Sequence, residues 1–179
     1  MTDNRLARIG ILTISDRASR GEYEDVSGKA INDFLVRVMQ SNWVAVIRIV
    51  PDGIESVAQA LIEMADQEGC DLILTTGGTG PAPRDLTPEA TRMVITRELE
   101  GFGELMRRIS FEQVPTAILS RQTAGTRNKC LIVNLPGRPS AIDITLNAVF
   151  PAIPYCLDLI GARRIEVNPD VCAAFRPAA

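Results

Sequence analysis

Apolar residues fall in short, regularly interrupted runs through the first half of the chain, and the spacing inside each run indicates the element. Arg8 to Ser15 (RIGILTIS) is a continuous β-branched run and predicts a buried strand. Past a polar loop through Asp16, Arg17, Ser19 and Gly21 the period lengthens. Val26, Ala30, Ile31, Phe34, Leu35, Val38 and Met39 share one helical face, with Asp25 placed to cap it. Trp43 to Val50 predicts a second strand, closed by Pro51-Asp52-Gly53. A second helical stripe through Ile54, Val57, Ala58, Leu61, Ile62 and Ala65 ends at Gly69, and Asp71 to Thr76 reads as a third buried strand. This alternation predicts right-handed crossovers and an α/β fold of three layers: a mostly parallel sheet with helices on both faces.

The second half is less regular. Thr87-Pro88 opens a helix, Gly101 and Gly103 interrupt it, and Leu105, Met106 and Ile109 resume its apolar face. Thr116 to Ser120 and Cys130 to Leu135 read as two strands, joined through a turn at Gly125 to Asn128 as a β-hairpin extension. Pro136-Gly137 closes the second, and Ile142, Leu146 and Val149 mark a helix. Pro151 and Pro154 break the next apolar stretch, and Leu157 to Ile160 ends the packed core. The expectation is a single domain over residues 1–179, with a tail from about residue 163 that packs loosely or on a neighbour.

Composition sharpens this picture. With 179 residues, 46% hydrophobic and 23% charged, the chain can build one core and is not a disordered protein. A net charge of −3 argues against a nucleic-acid partner. No apolar run approaches the roughly 20 residues that span a bilayer, and no apolar signal region follows the polar start MTDNR, so no membrane partner and a cytoplasmic location are expected. There is no histidine, which removes Ser-His-Asp and Cys-His nucleophile systems and histidine-ligated zinc or iron. The cysteines at 70, 130, 156 and 172 form no Cys-x-x-Cys pair and read as single buried thiols. Carboxylates, hydroxyls, backbone amides and arginines remain to do the chemistry.

In a parallel sheet ligands bind beyond the carboxyl ends of the strands. Those ends carry Ser15-Asp16-Arg17, Pro51-Asp52-Gly53 and the segment Thr76-Gly77-Gly78-Thr79-Gly80. The glycines leave backbone amides open to a phosphate-bearing ligand. Neither the Walker A loop nor the dinucleotide fingerprint is present. Asp52, three residues before Glu55, reads equally as a helix cap or a catalyst. Asp85 is freer for function, because Thr87 as cap and Pro88 at the first helical position already explain the helix start. Arg84 reads as a solvated side chain. Ser15, Thr76 and Ser120 are hydroxyls suited to the polar edges of a ligand.

Taken together, Thr75 to Gly80, Pro83 to Thr91, Gly101 to Arg107, Pro115 to Arg121 and Asn134-Leu135-Pro136-Gly137 resemble the molybdopterin adenylyltransferases of molybdenum cofactor synthesis. The likeness takes in Ile14 to Arg17 and Ala173 to Pro177, so it covers nearly the whole chain. It implies a homotrimer acting on molybdopterin and ATP with Mg2+, giving adenylylated molybdopterin and pyrophosphate for hand-over to a molybdate-inserting enzyme. It places the family's functional aspartates, catalytic and metal-holding, on Asp52 and Asp85, and extends the substrate-binding set to Pro136 and Gly137. Gly53 departs from the pattern where a second acidic or polar residue is expected, and the connection from Val149 to Pro154 is shorter than in enterobacterial-type members. The competing reading is a non-catalytic paralogue of the same fold that only binds molybdopterin or a nucleotide. A nucleophile that is already a phosphate anion needs no strong base, which suits a chain without histidine.

Overall fold

A computed structural model describes residues 6–178; the polar start, Met1 to Arg5, and Ala179 lie outside the described residues. In chain order the elements are β1 (Ala7–Ile14), α1 (Asp16–Ser19), α2 (Val26–Val38), β2 (Trp43–Val50), α3 (Ile54–Ile62), β3 (Leu72–Thr76), α4 (Thr87–Val94) and β4 (Arg97–Glu98). They continue with α5 (Glu100–Phe111), β5 (Ala124–Arg127), β6 (Cys130–Leu135), α6 (Pro139–Val149) and α7 (Ile153–Leu159). One sheet of six strands runs in the order β2-β1-β3-β6-β5-β4. The first four of these are parallel, while β5 and β4 each run antiparallel to the strand before them in that order.

Alternation along the buried strands divides the core in two. Ile9, Ile11, Leu72, Leu74, Leu131 and Val133 face α2, α6 and α7, while Leu12, Ile14, Ile73 and Ile132 face α3 and α4. Each fully buried side chain of this kind contributes about 1.5–3 kcal/mol through its removal from water. At the edge, β2 is only half covered: Val44, Ile47 and Ile49 are exposed. Asp25 caps α2 as expected, accepting from the Gly28 amide at 2.8 Å and from the Thr13 hydroxyl at 2.7 Å.

Several expectations for the second half are corrected. The run from Pro115 to Leu119 is a 3-10 helix outside the sheet, with Ile118 and Leu119 exposed. The hairpin strand lies later, at β5, and its two-residue turn is Asn128-Lys129, with Asn128 at φ +52°. Gly101 and Gly103 sit within α5; the helical pattern is interrupted instead by Ile95 to Leu99, which carries β4. Glycine is needed at 103 because a Cβ there would stand 2.4 Å from the Gln122 carbonyl.

The tail from 163 is tied down. Ile165, Val167 and Cys172 are buried, Val167 bridges Met39, and the Asn168 amide donates to the Val38 carbonyl at 2.8 Å. Beneath them Arg163 pairs with buried Asp71 at 2.8 Å. Lastly, the stretch Pro139–Leu159 has the length and composition to cross a membrane, which the sequence reading did not foresee. Its large apolar residues Ile142, Leu146, Phe150, Ile153 and Leu157 lie in the core.

Candidate active site

The parallel strands β2, β1, β3 and β6 point their carboxyl ends at one edge of the sheet, and the loops that follow them meet there. The strand order turns between β1 and β3, the position where such sheets open a crevice. Gly77 packs so tightly against β1 that a Cβ would stand 2.2 Å from the Ile14 carbonyl oxygen, and its φ of +100° independently requires glycine. The loop after β6 closes on the same point. The Thr76 hydroxyl donates to the Pro136 carbonyl at 2.8 Å, and the Ser27 hydroxyl donates to that of Gly137 at 2.8 Å. Among the described residues, the amides of Gly78, Thr79 and Gly80 find no acceptor in the protein. Successive N–H groups without internal acceptors in a glycine-rich turn are the feature that anion-binding loops use.

Asp52 is not the cap of α3. That position belongs to Gly53, at φ +135°, and the Ser56 hydroxyl donates to the Pro51 and Gly53 carbonyls. The Asp52 carboxylate turns instead toward β1, where Oδ2 accepts from the Asp16 amide at 3.1 Å, and Asp16 Oδ1 accepts from the Asp52 amide at 3.1 Å. Ser15 caps the single turn of α1, accepting from the Ala18 amide at 3.2 Å.

Thr87 is not a cap either. The cap position falls on Leu86 without a side-chain bond, and the Thr87 hydroxyl donates to the Gly77 carbonyl at 2.9 Å. A hydroxyl facing the glycine loop is satisfied there, so α4 begins by docking onto that loop. Asp85 Oδ2 accepts from the Ala82 amide at 3.1 Å and would lie 2.7 Å from a Cβ at position 80, which makes Gly80 a close-approach glycine. Arg84 is exposed.

Several polar residues beneath the loops were not singled out from the sequence. Asn134, fully buried on β6, donates to the Thr91 and Thr75 hydroxyls at 2.9 and 3.1 Å. Buried Gln122 accepts from the Ser120 hydroxyl at 2.7 Å and reaches the Asn134 carbonyl at 3.4 Å. Arg121 and Glu89 complete this support. Asn134, Arg121 and Glu89 fall within the stretches that carry the resemblance, and Gln122 within the polar run Ser120 to Thr123, but no role was assigned to any of them.

Two clefts border the loops. One of about 540 Å³ is lined by Thr79, Gly80, Ser120, Pro136, Gly137 and Arg138 among others. One of about 200 Å³ is lined by Ser15, Arg17, Thr76, Gly77 and Gly137 among others. Thus Ser15, Thr76, Gly77, Thr79, Gly80, Ser120, Pro136 and Gly137 line cleft walls, while Asp16, Asp52, Gly78 and Asp85 lie on the same loops outside those walls. A larger cleft, about 700 Å³, sits at the opposite edge around Asp71 and Arg163, far from these loops along the strands. The thiols are chemically quiet: burial pushes Cys70 up to about 12 and raises Cys130 well above the ordinary value.

No group of three or more Cys, Asp or Glu side chains with metal-binding arrangement occurs among the described residues. Asp52 and Asp85 each keep one carboxylate oxygen without a hydrogen-bond partner among those residues. Hard oxygen donors of this kind suit magnesium, which is commonly held by one or two carboxylates with water and substrate phosphate oxygens supplying the rest.

Residues 10–155 match a family profile described as "Probable molybdopterin binding domain". Molybdopterin adenylyltransferase of Helicobacter pylori (strain J99) is 56% identical over 169 residues, which cover 94% of this chain and 96% of that relative. The enzyme of the same name from Escherichia coli (strain K12) is 46% identical over 182 residues, covering 95% and 93% of the two chains. The crystal structure of the molybdopterin biosynthesis enzyme MoaB from Thermus thermophilus matches with a TM-score of 0.81 at 44% identity, over 90% of this chain and 100% of that one.

Proposed function

The chain belongs to this family of molybdopterin-binding domains, and from that premise we propose that it transfers the adenylyl group of ATP to the terminal phosphate of molybdopterin. The phosphate oxygen of molybdopterin attacks the α-phosphorus, a new P–O bond forms, and the bond to the bridging oxygen breaks with its electron pair leaving on pyrophosphate. The nucleophile is an anion near neutral pH, so the protein has to align two polyanions and offset their charge rather than abstract a proton.

The row of unsatisfied amides at Gly78, Thr79 and Gly80 carries this reading. They offer a phosphate three successive donors in the loop that follows β3. Ser15, Thr76, Ser120, Pro136 and Gly137 line the two flanking clefts, which supports assigning them to the polar edges of the pterin and the nucleotide. Asp16 anchors Asp52, and Asp52 with Asp85 would hold magnesium through their free carboxylate oxygens. When bound, the metal supplies positive charge against the triphosphate. We further assign the chain to a cytoplasmic homotrimer that passes its product to a molybdate-inserting enzyme. The exposed apolar residues on the open edge of β2 support an assembly of copies.

The test is direct. Purified protein mixed with molybdopterin, ATP and magnesium should release pyrophosphate and form adenylylated pterin in equal amounts, only when all three are present. Release of ADP or inorganic phosphate would overturn the assignment.

A further inference from the structure

Pro81, Ala82, Pro83 and Arg84 form an exposed turn between the glycine loop and the helix that begins at Thr87. Two of its four residues are prolines and donate no backbone hydrogen bond. Within the turn, the Asp85 amide donates to the Ala82 carbonyl at 2.9 Å and the Ala82 amide donates to Asp85 Oδ2 at 3.1 Å. These bonds close the turn on itself without fixing it to the sheet.

One side chain ties its two ends together and to α4. Arg121 donates from Nε to the Gly80 carbonyl at 2.9 Å and from Nη2 to the Asp85 carbonyl, so a single planar group bonds both ends of the turn. Its backbone amide donates to the Thr79 carbonyl at 2.9 Å. Its Nη1 and Nη2 also grip the two carboxylate oxygens of Glu89 on α4, the second at 3.2 Å. Burial alone would raise the Glu89 carboxyl, but donation from Arg121, a bond from its own backbone amide and the charges of Arg121 and Arg92 together hold the group below its ordinary range. The pair is about two-thirds buried, and each of the three guanidinium nitrogens is committed to a protein acceptor. A guanidinium with four of its five N–H groups engaged in this way is poorly placed to clamp a phosphate.

We propose that Arg121, oriented by Glu89, is a positioning residue that sets Asp85 against the anion-binding amides of Gly78 to Gly80. This rests on the proposed adenylyl transfer for its effect on rate, but its effect on the turn stands apart. Lysine keeps the charge and loses the planar fork. Glu89→Gln keeps size and weakens only the fork's grip.

The experiment measures both consequences on Arg121→Lys and Glu89→Gln: amide hydrogen exchange across residues 80–85, and pyrophosphate release over a range of ATP and molybdopterin concentrations. In Arg121→Lys the Ala82 and Asp85 amides should exchange at least tenfold faster. Its kcat should fall tenfold or more, about 1.4 kcal/mol, with both KM values within threefold of wild type. Glu89→Gln should move the same quantities the same way by less. Unchanged exchange in both variants overturns the inference whatever the activity. A raised KM for ATP at unchanged kcat would make Arg121 a direct phosphate ligand, and also overturns it. If Arg121→Lys does not fold, Glu89→Gln decides by the same criteria. Wild-type protein that releases no pyrophosphate sinks the proposed reaction, and the exchange measurement then still decides the turn.

Discussion

Asp16 and Asp52 hold one another by their backbones, the amide of each donating to the carboxylate of the other at 3.1 Å. The exchange joins the loops after β1 and β2 and aims the Asp52 carboxylate along the sheet edge instead of down the axis of α3. Asparagine keeps an acceptor oxygen for the same bond and loses the charge. Asp52→Asn and Asp85→Asn should therefore melt within a few degrees of wild type and bind pterin normally. Turnover should fall by about 10²-fold or more, the scale of losing one electrostatic stabiliser. Excess magnesium should restore part of it. Normal turnover at low magnesium in both variants would remove the metal-holding role.

The glycine loop gives a sharper test of geometry. At Gly77 the neighbour is the Ile14 backbone carbonyl, which has no rotamer to retreat into, and φ is +100°. Gly77→Ala should cost about 2 kcal/mol from the strained backbone alone, the upper end for a left-handed residue. In a chain of this size that lowers Tm by about 4–8 °C. At Gly78 the obstacle is the Thr87 hydroxyl, 2.4 Å from the added Cβ. Gly78→Val should cut affinity for ATP or molybdopterin tenfold or more, about 1.4 kcal/mol, and a second change, Thr87→Ala, should recover part of the stability it loses. Titration and melting on the single and double variants check both statements.

At the far edge, Asp71 is buried and meets Arg163 through both its side chain and its backbone amide. Removing the cation leaves a buried carboxylate uncompensated. Arg163→Ala should lose about 3 kcal/mol, the low end for breaking a buried pair, read as a shift in the denaturant midpoint. A loss below about 0.5 kcal/mol, the scale of an ordinary surface change, would show that the tail contributes little to folding.

The pH dependence separates stability from rate. Glu63, Asp66 and Glu98 are held below their ordinary values, chiefly by hydrogen bonds from Arg48, Arg127 and Thr123 respectively, and Glu89 is held below against its burial by Arg121, its own backbone amide and the charge of Arg92 together. A carboxyl depressed in the folded state stabilises above its unfolded value, about 4 to 4.5, and loses that contribution as pH falls through the folded value. Melting should stay flat from pH 7 to about 5 and decline below. Turnover should decline earlier, between about pH 7 and 5.5, with the second pKa of a phosphate monoester near 6. An acid limb that tracks a group in the substrate-free protein would contradict the proposed mechanism.

What could be read from the chain followed local periodicity. The run through Ile9, Ile11 and Leu12 and the stripe through Ile31, Phe34 and Leu35 each meet one core, so spacing alone gives their elements. Thr116 to Leu119 misled because its apolar residues are exposed, and exposure leaves no period. Gly125 read as a turn although it belongs to β5. It is glycine because a Cβ would stand 2.4 Å from Ile95 and 2.6 Å from the Arg97 carbonyl, a contact made across 28 residues of chain at its nearest. The tail misled for a similar reason: its anchors, Asp71 and Val38, lie far away in sequence. At the site, the glycine loop and both aspartates were legible as loop residues after strands. Arg121, Glu89 and Asn134 fell inside the stretches that carry the resemblance, but their roles were not legible, since an arginine, a glutamate and an asparagine acquire roles there only through partners 30 to 60 residues distant.

The pairing of Arg163 with Asp71 has a consequence for construction. β1 begins, and the segment from Arg163 folds back, at the edge opposite the loops that carry Asp52, Gly78 and Asp85. Peptide grafted before Leu6 or after Ala178 would therefore set out from the side away from the mouth. Tethering to a surface or fusion to a second enzyme through either end should leave substrate entry open, whereas a graft in the turn at Pro81 to Arg84 would stand in the doorway.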